Sequence, residues 1–183
     1  LLYKYASPGS WNDPDMLEVG NGELTYEENK THFTLWCMMA APLILGNDIR
    51  AFIKDDGTVD TENETYRILT NKELIAVDQD SLGVQCRRIK TNGAEDVLVK
   101  PLSDDSFAVC FFNKASSTSM MSHSIKDIVC RTFVTTPLAD EYEVCDLWSG
   151  QKIICDDVIE VSVAGHGVRI FKVRVKENVS ENI

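Results

Sequence analysis

The residues best suited to chemistry are two aspartates that flank a proline near the start of the chain. Residues 11–16 read Trp-Asn-Asp-Pro-Asp-Met, so Pro14 alone separates Asp13 from Asp15. In an extended backbone, residues i and i+2 point to the same side, which would bring both carboxylates within reach of one small ligand. Pro14 favours extension, because a proline biases the preceding residue away from the α region. The spacing predicts a two-carboxylate surface.

Apolar side chains on either side of these carboxylates suggest what that surface binds. Trp11 and Met16 place large apolar groups next to the two charges, a combination typical of a concave sugar site. The alternative is an acidic turn at the end of a strand, with Asp13 as a local cap, because Asp and Pro are ordinary turn residues. Spacing alone does not choose between these interpretations.

The elements that would position this motif follow an α/β pattern. We expect a strand over residues 11–19, a helix over 26–41 that starts with a capping box of Thr25 and Glu28, and a buried parallel strand over 43–45. The stripe of apolar residues on the helix, which includes Trp36, is interpreted as packing core. Asp48 follows the second strand and is either a pocket-rim residue or a helix cap. A second helix is expected over residues 63–72.

From about Leu82 onward the hydrophobic period changes to two. Eight strands are predicted, at residues 84–89, 96–102, 107–112, 119–123, 143–147, 153–155, 159–163 and 168–175. No strong helix pattern remains in this part, so we expect an antiparallel β-sandwich. Trp148 could stack on a sugar or cover the end of the sheet core.

Composition excludes several classes of function. The net charge of −11 disfavours nucleic acid and anionic membranes as partners, because both reward Lys and Arg. The acidity is uneven: residues 1–81 carry 6 Lys and Arg against 15 Asp and Glu, whereas the remainder carries 12 against 14. This break indicates two regions of different character.

The cysteines and histidines give no sign of a metal or cofactor. The six cysteines are widely spaced, and we expect mostly reduced thiols, with Cys145 and Cys155 as the pair to check for a disulfide. The three histidines lack the spacing of metal ligands, so no metal or other cofactor is predicted. Asn29, Asn63 and Asn178 begin glycosylation sequons, which matter only on a secretory route. Localisation stays open between secretion, a lysosome or vacuole, and a bacterial cytoplasm.

The order of several motifs resembles that of the glycoside hydrolase family 27 α-galactosidases. The similarity begins with Trp-Asn-Asp-Pro-Asp-Met at residues 11–16 and continues with Leu-Trp at 35–36 and Met-Ala-Ala-Pro-Leu at 39–43. Gly-Asn-Asp-Ile-Arg at 46–50 and Val-Asp-Gln-Asp-Ser-Leu-Gly at 77–83 complete it. In that family the first motif ends one of the last strands of a (β/α)8 barrel. Residues 1–81 would then be the C-terminal segment of a TIM barrel, and residues 82–183 the C-terminal antiparallel β-sandwich.

The resemblance implies a retaining hydrolase that releases terminal α-linked galactose. The nucleophile and the acid/base of the family are aspartates on earlier strands, so no catalytic residue is expected in this chain. By resemblance, Asp15 and Met16 face the sugar, while Trp11 and Asp13 hold the strand end in shape. The expected partners are a galactoside or oligosaccharide and the remainder of the barrel, from upstream polypeptide or a second chain, and an oligomer is allowed.

Two alternatives to that function stay open. α-N-Acetylgalactosaminidase and β-L-arabinopyranosidase share the fold and the motif of this family. A non-catalytic carbohydrate-binding homologue is the competing class, and in either case we expect this chain to be inactive by itself.

Overall fold

The structure is a computed structural model that describes residues 2–177, in which a helical part precedes a part made mainly of strands. The helices are α1 (Tyr26–Met39), α2 (Glu64–Leu69), α3 (Lys72–Asp78) and α4 (Ile125–Arg131), with short 3₁₀ helices at Leu2–Tyr5 and Ile49–Phe52. The strands are β1 (Arg87–Thr91), β2 (Glu95–Pro101), β3 (Phe107–Asn113), β4 (Ser119–Ser124), β5 (Tyr142–Asp146), β6 (Lys152–Cys155), β7 (Val158–Val163) and β8 (Val168–Val175). Within this described part, no helix has both the length and the apolar character needed to cross a membrane.

The strands form two antiparallel sheets, which confirms the predicted β-sandwich. Six strands follow the order β1-β2-β3-β8-β5-β6, and β4 pairs with β7 in a second sheet. Each of the eight predicted strands is present, with small shifts at its ends. In β7, Ile159 and Val163 are buried while Glu160 and Ser162 are exposed, so the alternation of apolar and polar residues assigned the two faces correctly.

Helix α4 is an element that the sequence analysis missed. The expectation that no helix follows Leu82 is wrong, because residues 125–131 form two turns of helix. Ser124 caps it by accepting a hydrogen bond from the Asp127 amide, and Ile125 and Ile128 lie in the core between the two sheets. Seven residues are too few to produce a clear helical period, so the packing of these two isoleucines decides the structure.

Helix α1 begins as the capping box predicted. The Thr25 hydroxyl accepts from the Glu28 amide, and the Glu28 carboxylate accepts from the Thr25 amide at 2.8 Å. The helix ends at Met39, two residues before the predicted end, because Ala40 adopts the left-handed conformation with φ of 51°. Phe33, Cys37 and Met38 face the core.

The helix predicted over residues 63–72 ends early, at Leu69, and it is followed by α3, a helix that the sequence did not predict. Asn63 caps α2, whose residues Ile68 and Leu69 are buried. The chain then turns at Thr70, and the Asn71 side chain accepts from the amides of residues 73 and 74 to start α3. An Asn that satisfies free amides at a helix N-terminus favours a new helix over continuation of the old one.

The two predicted parallel strands are reduced to one bridge. Leu17 pairs in parallel with Leu45, since the Leu17 amide donates to the Ile44 carbonyl at 2.8 Å and the Gly46 amide donates to the Leu17 carbonyl at 3.0 Å. The parallel direction agrees with the prediction, but the strands over residues 11–19 and 43–45 do not form as continuous elements. A parallel strand is stable only in a sheet covered on both faces, and these two segments pair only with each other among the described residues.

A shared core joins the helical part to the six-stranded sheet. Its buried residues include Phe33 and Cys37 from α1, Leu74 from α3, and Cys110 and Ile170 from the sheet. One face of the sheet therefore packs on the helices, and its other face packs on the two-stranded sheet and α4.

The cysteines are all free thiols. Cys37, Cys86 and Cys110 are buried, and burial raises the pKa of each thiol, to about 12 for Cys86. The disulfide between Cys145 and Cys155 that the sequence suggested as the first to check is not formed.

Candidate functional site

The Asp13-Pro14-Asp15 segment forms a tight turn. The Asp15 amide donates to Asp13 Oδ1 at 2.9 Å, and Asp15 has a φ of 84°, in the left-handed region. The backbone at Asp15 is therefore not extended, and the prediction that extension would send both carboxylates to one side is wrong. Asp13 acts as a local cap, as the acidic-turn interpretation proposed. Its carboxylate accepts a hydrogen bond from the amide two residues later, which closes an Asx turn.

The motif exposes its carboxylates and its large apolar side chains, and the residue that follows it is buried. Trp11 and Met16 are 43% and 45% exposed, and Asp13 and Asp15 are exposed as well. Leu17, which follows directly, is completely buried. The exposed carboxylates and apolar groups thus lie on a segment that is fixed to the core.

Helix α1 holds the motif through two aromatic side chains. Trp36 Nε1 donates to the Asp15 carbonyl at 2.9 Å, and the Glu18 amide donates to His32 Nε2 at 3.2 Å. The two rings stack with their centroids 3.9 Å apart and an angle of 20° between their planes. Sequence reasoning assigned Trp36 to the core alone and gave His32 no role, although their spacing of four residues places both on one helix face.

Trp11 and Asn12 attach the start of the motif to the loop after α3. A ring carbon of Trp11 lies 2.7 Å from the position that a Gly83 β-carbon would take, so a side chain at residue 83 would displace the indole. Asn12 Nδ2 donates to the Leu2 carbonyl at 2.9 Å and to Gln85 Oε1 at 2.7 Å. These contacts join the start of the motif to Gly83 and Gln85, which lie far along the chain.

Asp48 serves as a helix cap. Its carboxylate accepts from the Arg50 amide at 3.0 Å and pairs with the Arg50 guanidinium at 2.5 Å, and this pairing lowers the pKa of Asp48. Its neighbour Asn47 reaches back to the motif, because its Nδ2 donates to the Val19 carbonyl at 2.7 Å. Of the two roles that the sequence left open for Asp48, the structure favours the cap.

Trp148 is partly buried against the shared core. Its Nε1 donates to Thr34 Oγ1 at 3.2 Å, and Lys30 Nζ lies 5.4 Å from the centre of the ring. Asp146, which accepts from the Trp148 amide, pairs with Arg169 at 2.7 Å. The indole therefore connects the sheet end to α1. This position agrees with the interpretation that Trp148 covers the end of the sheet core.

Two aspartates in the turns of the sandwich have local structural partners. Asp104 pairs with Lys172 at 2.7 Å, and Asp157 accepts from Ser124 Oγ at 2.6 Å. Among residues 2–177, no three or more His, Cys, Asp or Glu side chains are grouped to hold a metal ion. Asn29 is 7% exposed and both of its amide atoms are hydrogen bonded, so the folded chain offers no sugar acceptor there; the sequon at Asn178 lies outside the described residues.

Comparison with known families divides the chain into two matching parts. Residues 1–80 match the family model described as alpha galactosidase A, and residues 92–173 match the model of the alpha galactosidase C-terminal beta sandwich domain. Together the two matches cover the motif at residues 11–16 and most of the sandwich.

Curated relatives and solved structures agree with these matches. The chain is 38% identical to an alpha-galactosidase from Cyamopsis tetragonoloba over 91% of this chain and 37% of the relative, and 36% identical to an alpha-N-acetylgalactosaminidase from Gallus gallus over 84% of this chain and 35% of the relative. The crystal structure of alpha-galactosidase I from Mortierella vinacea superposes with a TM-score of 0.83 at 34% identity, over 97% of this chain and 43% of that one. A β-L-arabinopyranosidase from Geobacillus stearothermophilus shares the fold, with a TM-score of 0.78 at 23% identity. The chain thus spans about two fifths of the length of these proteins.

Proposed function

Because the chain belongs to the glycoside hydrolase family 27 α-galactosidases, we propose that it supplies the last barrel units and the C-terminal sandwich of a retaining α-galactosidase. The observation that carries the proposal is the motif at residues 11–16, which is exposed on a segment anchored in the core. We place the boundary between the barrel segment and the sandwich at residues 81 and 82.

In this proposal, the chain contributes side chains that bind and orient the sugar in the assembled enzyme, but it does not carry out the bond cleavage. Retaining hydrolysis needs two carboxyl groups about 5 to 5.5 Å apart, one as nucleophile and one as acid and then base. Family resemblance assigns both to strands that precede Asp13 and Asp15. The capping role of Asp13 supports this assignment, because its Oδ1 already accepts the Asp15 amide. Asp15 and Met16 contact the sugar, and Trp11 and Asp13 keep the segment in shape.

The remainder of the barrel is the proposed macromolecular partner. An apolar groove of about 390 Å³ lies beside the parallel bridge, lined by residues that include Leu45, Phe52 and Tyr66. Ile49 and Ile53 at this groove are 64% and 48% exposed, which is unusual for a stable outer surface. A closed (β/α)8 barrel takes roughly 250 residues, so other strands and helices, from upstream polypeptide or a second chain, would cover this face.

The first experiment separates the chain from the assembled enzyme. The 183-residue chain, verified by its intact mass of 20.5 kDa, should not hydrolyse an aryl α-galactoside, whereas the assembled enzyme should. Turnover by the isolated chain would contradict the proposal. Galactose binding by the isolated chain would favour the non-catalytic carbohydrate-binding alternative, because an incomplete barrel should not bind the sugar.

The second experiment tests the sugar-binding role of Asp15. In the assembled enzyme, Asp15→Asn should lower kcat/KM at least about tenfold, because a hydrogen bond to a charged group is worth roughly 1.5 to 3 kcal/mol. Asp157→Asn is the matched control, since the partners of the Asp157 carboxylate among the described residues, Ser124 and Lys126, both lie in the sandwich region. Equal losses in the two variants would contradict the assignment.

The choice of sugar is decided by parallel assays. We expect the aryl α-galactoside to be preferred over the aryl α-N-acetylgalactosaminide and the aryl β-L-arabinopyranoside. A preference for one of the other two substrates would contradict the proposed substrate but not the membership of the family.

A further inference from the structure

We infer that His32 and Trp36 form a positioning pair that sets the backbone of the sugar-binding segment, an inference that rests on the proposed function of Asp15 and Met16. The pair holds both ends of that segment, because Trp36 Nε1 donates to the Asp15 carbonyl and His32 Nε2 accepts the Glu18 amide. Neither side chain needs to touch the sugar in this role.

The segment requires such support because its conformation is unfavourable. A φ of 84° at Asp15 lies in the left-handed region, which a residue other than glycine adopts at a cost and keeps only when its surroundings enforce it. The carbonyl held by Trp36 belongs to this same residue. On the other side, the amide and carbonyl of Leu17 are held by Ile44 and Gly46. The segment is therefore fixed from two directions.

The stacked geometry makes the two hydrogen bonds interdependent. With ring centroids 3.9 Å apart, His32 and Trp36 restrict each other's side-chain rotation. The helix that carries them is itself attached to the sandwich, because Thr31 Oγ1 donates to the His166 carbonyl at 2.8 Å and Lys100 Nζ donates to the Cys37 carbonyl at 3.2 Å. The sandwich thus contributes to the sugar site through α1.

His32 can play this role only when it is neutral. To accept the Glu18 amide, Nε2 must be unprotonated, so the ring proton resides on Nδ1. Burial lowers the pKa of His32, while the Glu18 carboxylate acts in the opposite direction. His32 and Trp36 line a surface cleft, and the other titratable groups that line it are Glu28 from α1, and Lys114 and His166 from the sandwich. Protonation at low pH would turn the acceptor into a donor and release the Glu18 amide.

The kinetic test uses the assembled enzyme and two matched tryptophan variants. Trp36→Phe keeps the stack but removes the N–H, and it should raise KM about fivefold with a smaller change in kcat, the size expected for one hydrogen bond. Trp148→Phe is the control, because it removes the corresponding N–H from a bond to the same helix, at Thr34, without touching the motif. A lower kcat at unchanged KM in Trp36→Phe, or the same KM change in both variants, would overturn the inference.

The role of His32 is tested by replacing its acceptor and by following pH. His32→Leu should raise KM at every pH. His32→Gln should keep KM near the value of the unsubstituted enzyme at neutral pH, because a glutamine oxygen can accept the Glu18 amide without titrating. The KM of the unsubstituted enzyme should rise on acidification below the usual pKa of histidine, and that of His32→Gln should not. Identical pH profiles of KM in the unsubstituted enzyme and in His32→Gln would overturn the inference.

A final measurement separates this inference from the proposed function. Nitrogen chemical shifts of labelled histidine in the same assembled protein should show His32 with an unprotonated Nε2 at pH 7. A protonated Nε2 would overturn the positioning pair even in an active enzyme. An unprotonated Nε2 in a protein that hydrolyses no galactoside would instead leave the pair in place and contradict the proposed function.

Discussion

At the scale of single residues, Asp78 and Lys100 have the least ordinary environment. Asp78 is 5% exposed and Lys100 is completely buried, at the junction of α3, α1 and β2. Burial raises the pKa of Asp78 to about 6, although Gln79 and Lys100 both favour its charged form, and burial lowers the pKa of Lys100. Asp78 Oδ1 has no hydrogen-bond partner among the described residues. The folded chain therefore binds the Asp78 proton more tightly than the unfolded chain does.

This difference predicts a pH-dependent stability. Below pH 4, Asp78 is protonated in both the folded and the unfolded chain, so its ionisation does not lower the free energy of unfolding. Between pH 4 and 6 the unfolded chain releases the proton first, which lowers the free energy of unfolding by up to about 3 kcal/mol, and the loss persists above pH 6. Relative to the unsubstituted protein, Asp78→Asn should therefore become more stable as the pH rises from 4 to 7. Urea unfolding across this pH range measures the effect. If the difference in free energy of unfolding between the two proteins did not change with pH, the prediction would be contradicted.

At the scale of elements, α1 is the connection between the motif and the sandwich, and its start depends on a local capping box. Thr25→Ala removes the hydroxyl that accepts the Glu28 amide. We expect a loss of about 1 kcal/mol in the free energy of unfolding, the usual value for a lost N-cap. Thr25→Ser keeps the hydroxyl and should lose much less, and an equally large loss in both would show that the methyl group matters instead.

The turn between the motif and α1 allows a second matched comparison. Gly20 and Gly22 both have positive φ, of 77° and 69°, so an alanine at either position meets similar backbone strain. A β-carbon at residue 20 would overlap the Thr65 side chain, whereas one at residue 22 meets nothing within 4 Å. Gly20→Ala should therefore destabilise the protein by about 1 to 3 kcal/mol more than Gly22→Ala, as measured by chemical denaturation. Equal losses would mean that α2 shifts freely.

At the scale of the whole molecule, the sandwich and the helical part share a core. Cys110 and Ile170 on the six-stranded sheet pack with Phe33 and Leu74 from the helices. Residues 82–183 expressed alone would expose this apolar sheet face to water. We expect that shorter chain to unfold at a lower urea concentration than the 183-residue chain and to bind a hydrophobic dye. An unchanged midpoint without dye binding would show that the sandwich is stable by itself.

The local features of this protein were largely determined by its sequence. The capping box at Thr25 and the alternation in β7 act over a few residues, so their pattern predicts structure directly. The motif at residues 11–16 likewise identified the family and the surface segment without any coordinates. Helix α4 and the break between α2 and α3 were not predicted, because elements of so few residues show no clear periodicity of apolar positions.

The geometry of the segment from Asp15 to Glu18 was decided by the tertiary structure. The Asp15 carbonyl meets Trp36, the Glu18 amide meets His32, and the Cys37 carbonyl meets Lys100, each across 14 residues or more. A sequence pattern states which groups need hydrogen-bond partners, but only the folded chain brings distant donors and acceptors together. For that reason the sequence pattern predicted Trp36 as a core residue, while the structure shows its ring nitrogen donating to the Asp15 carbonyl.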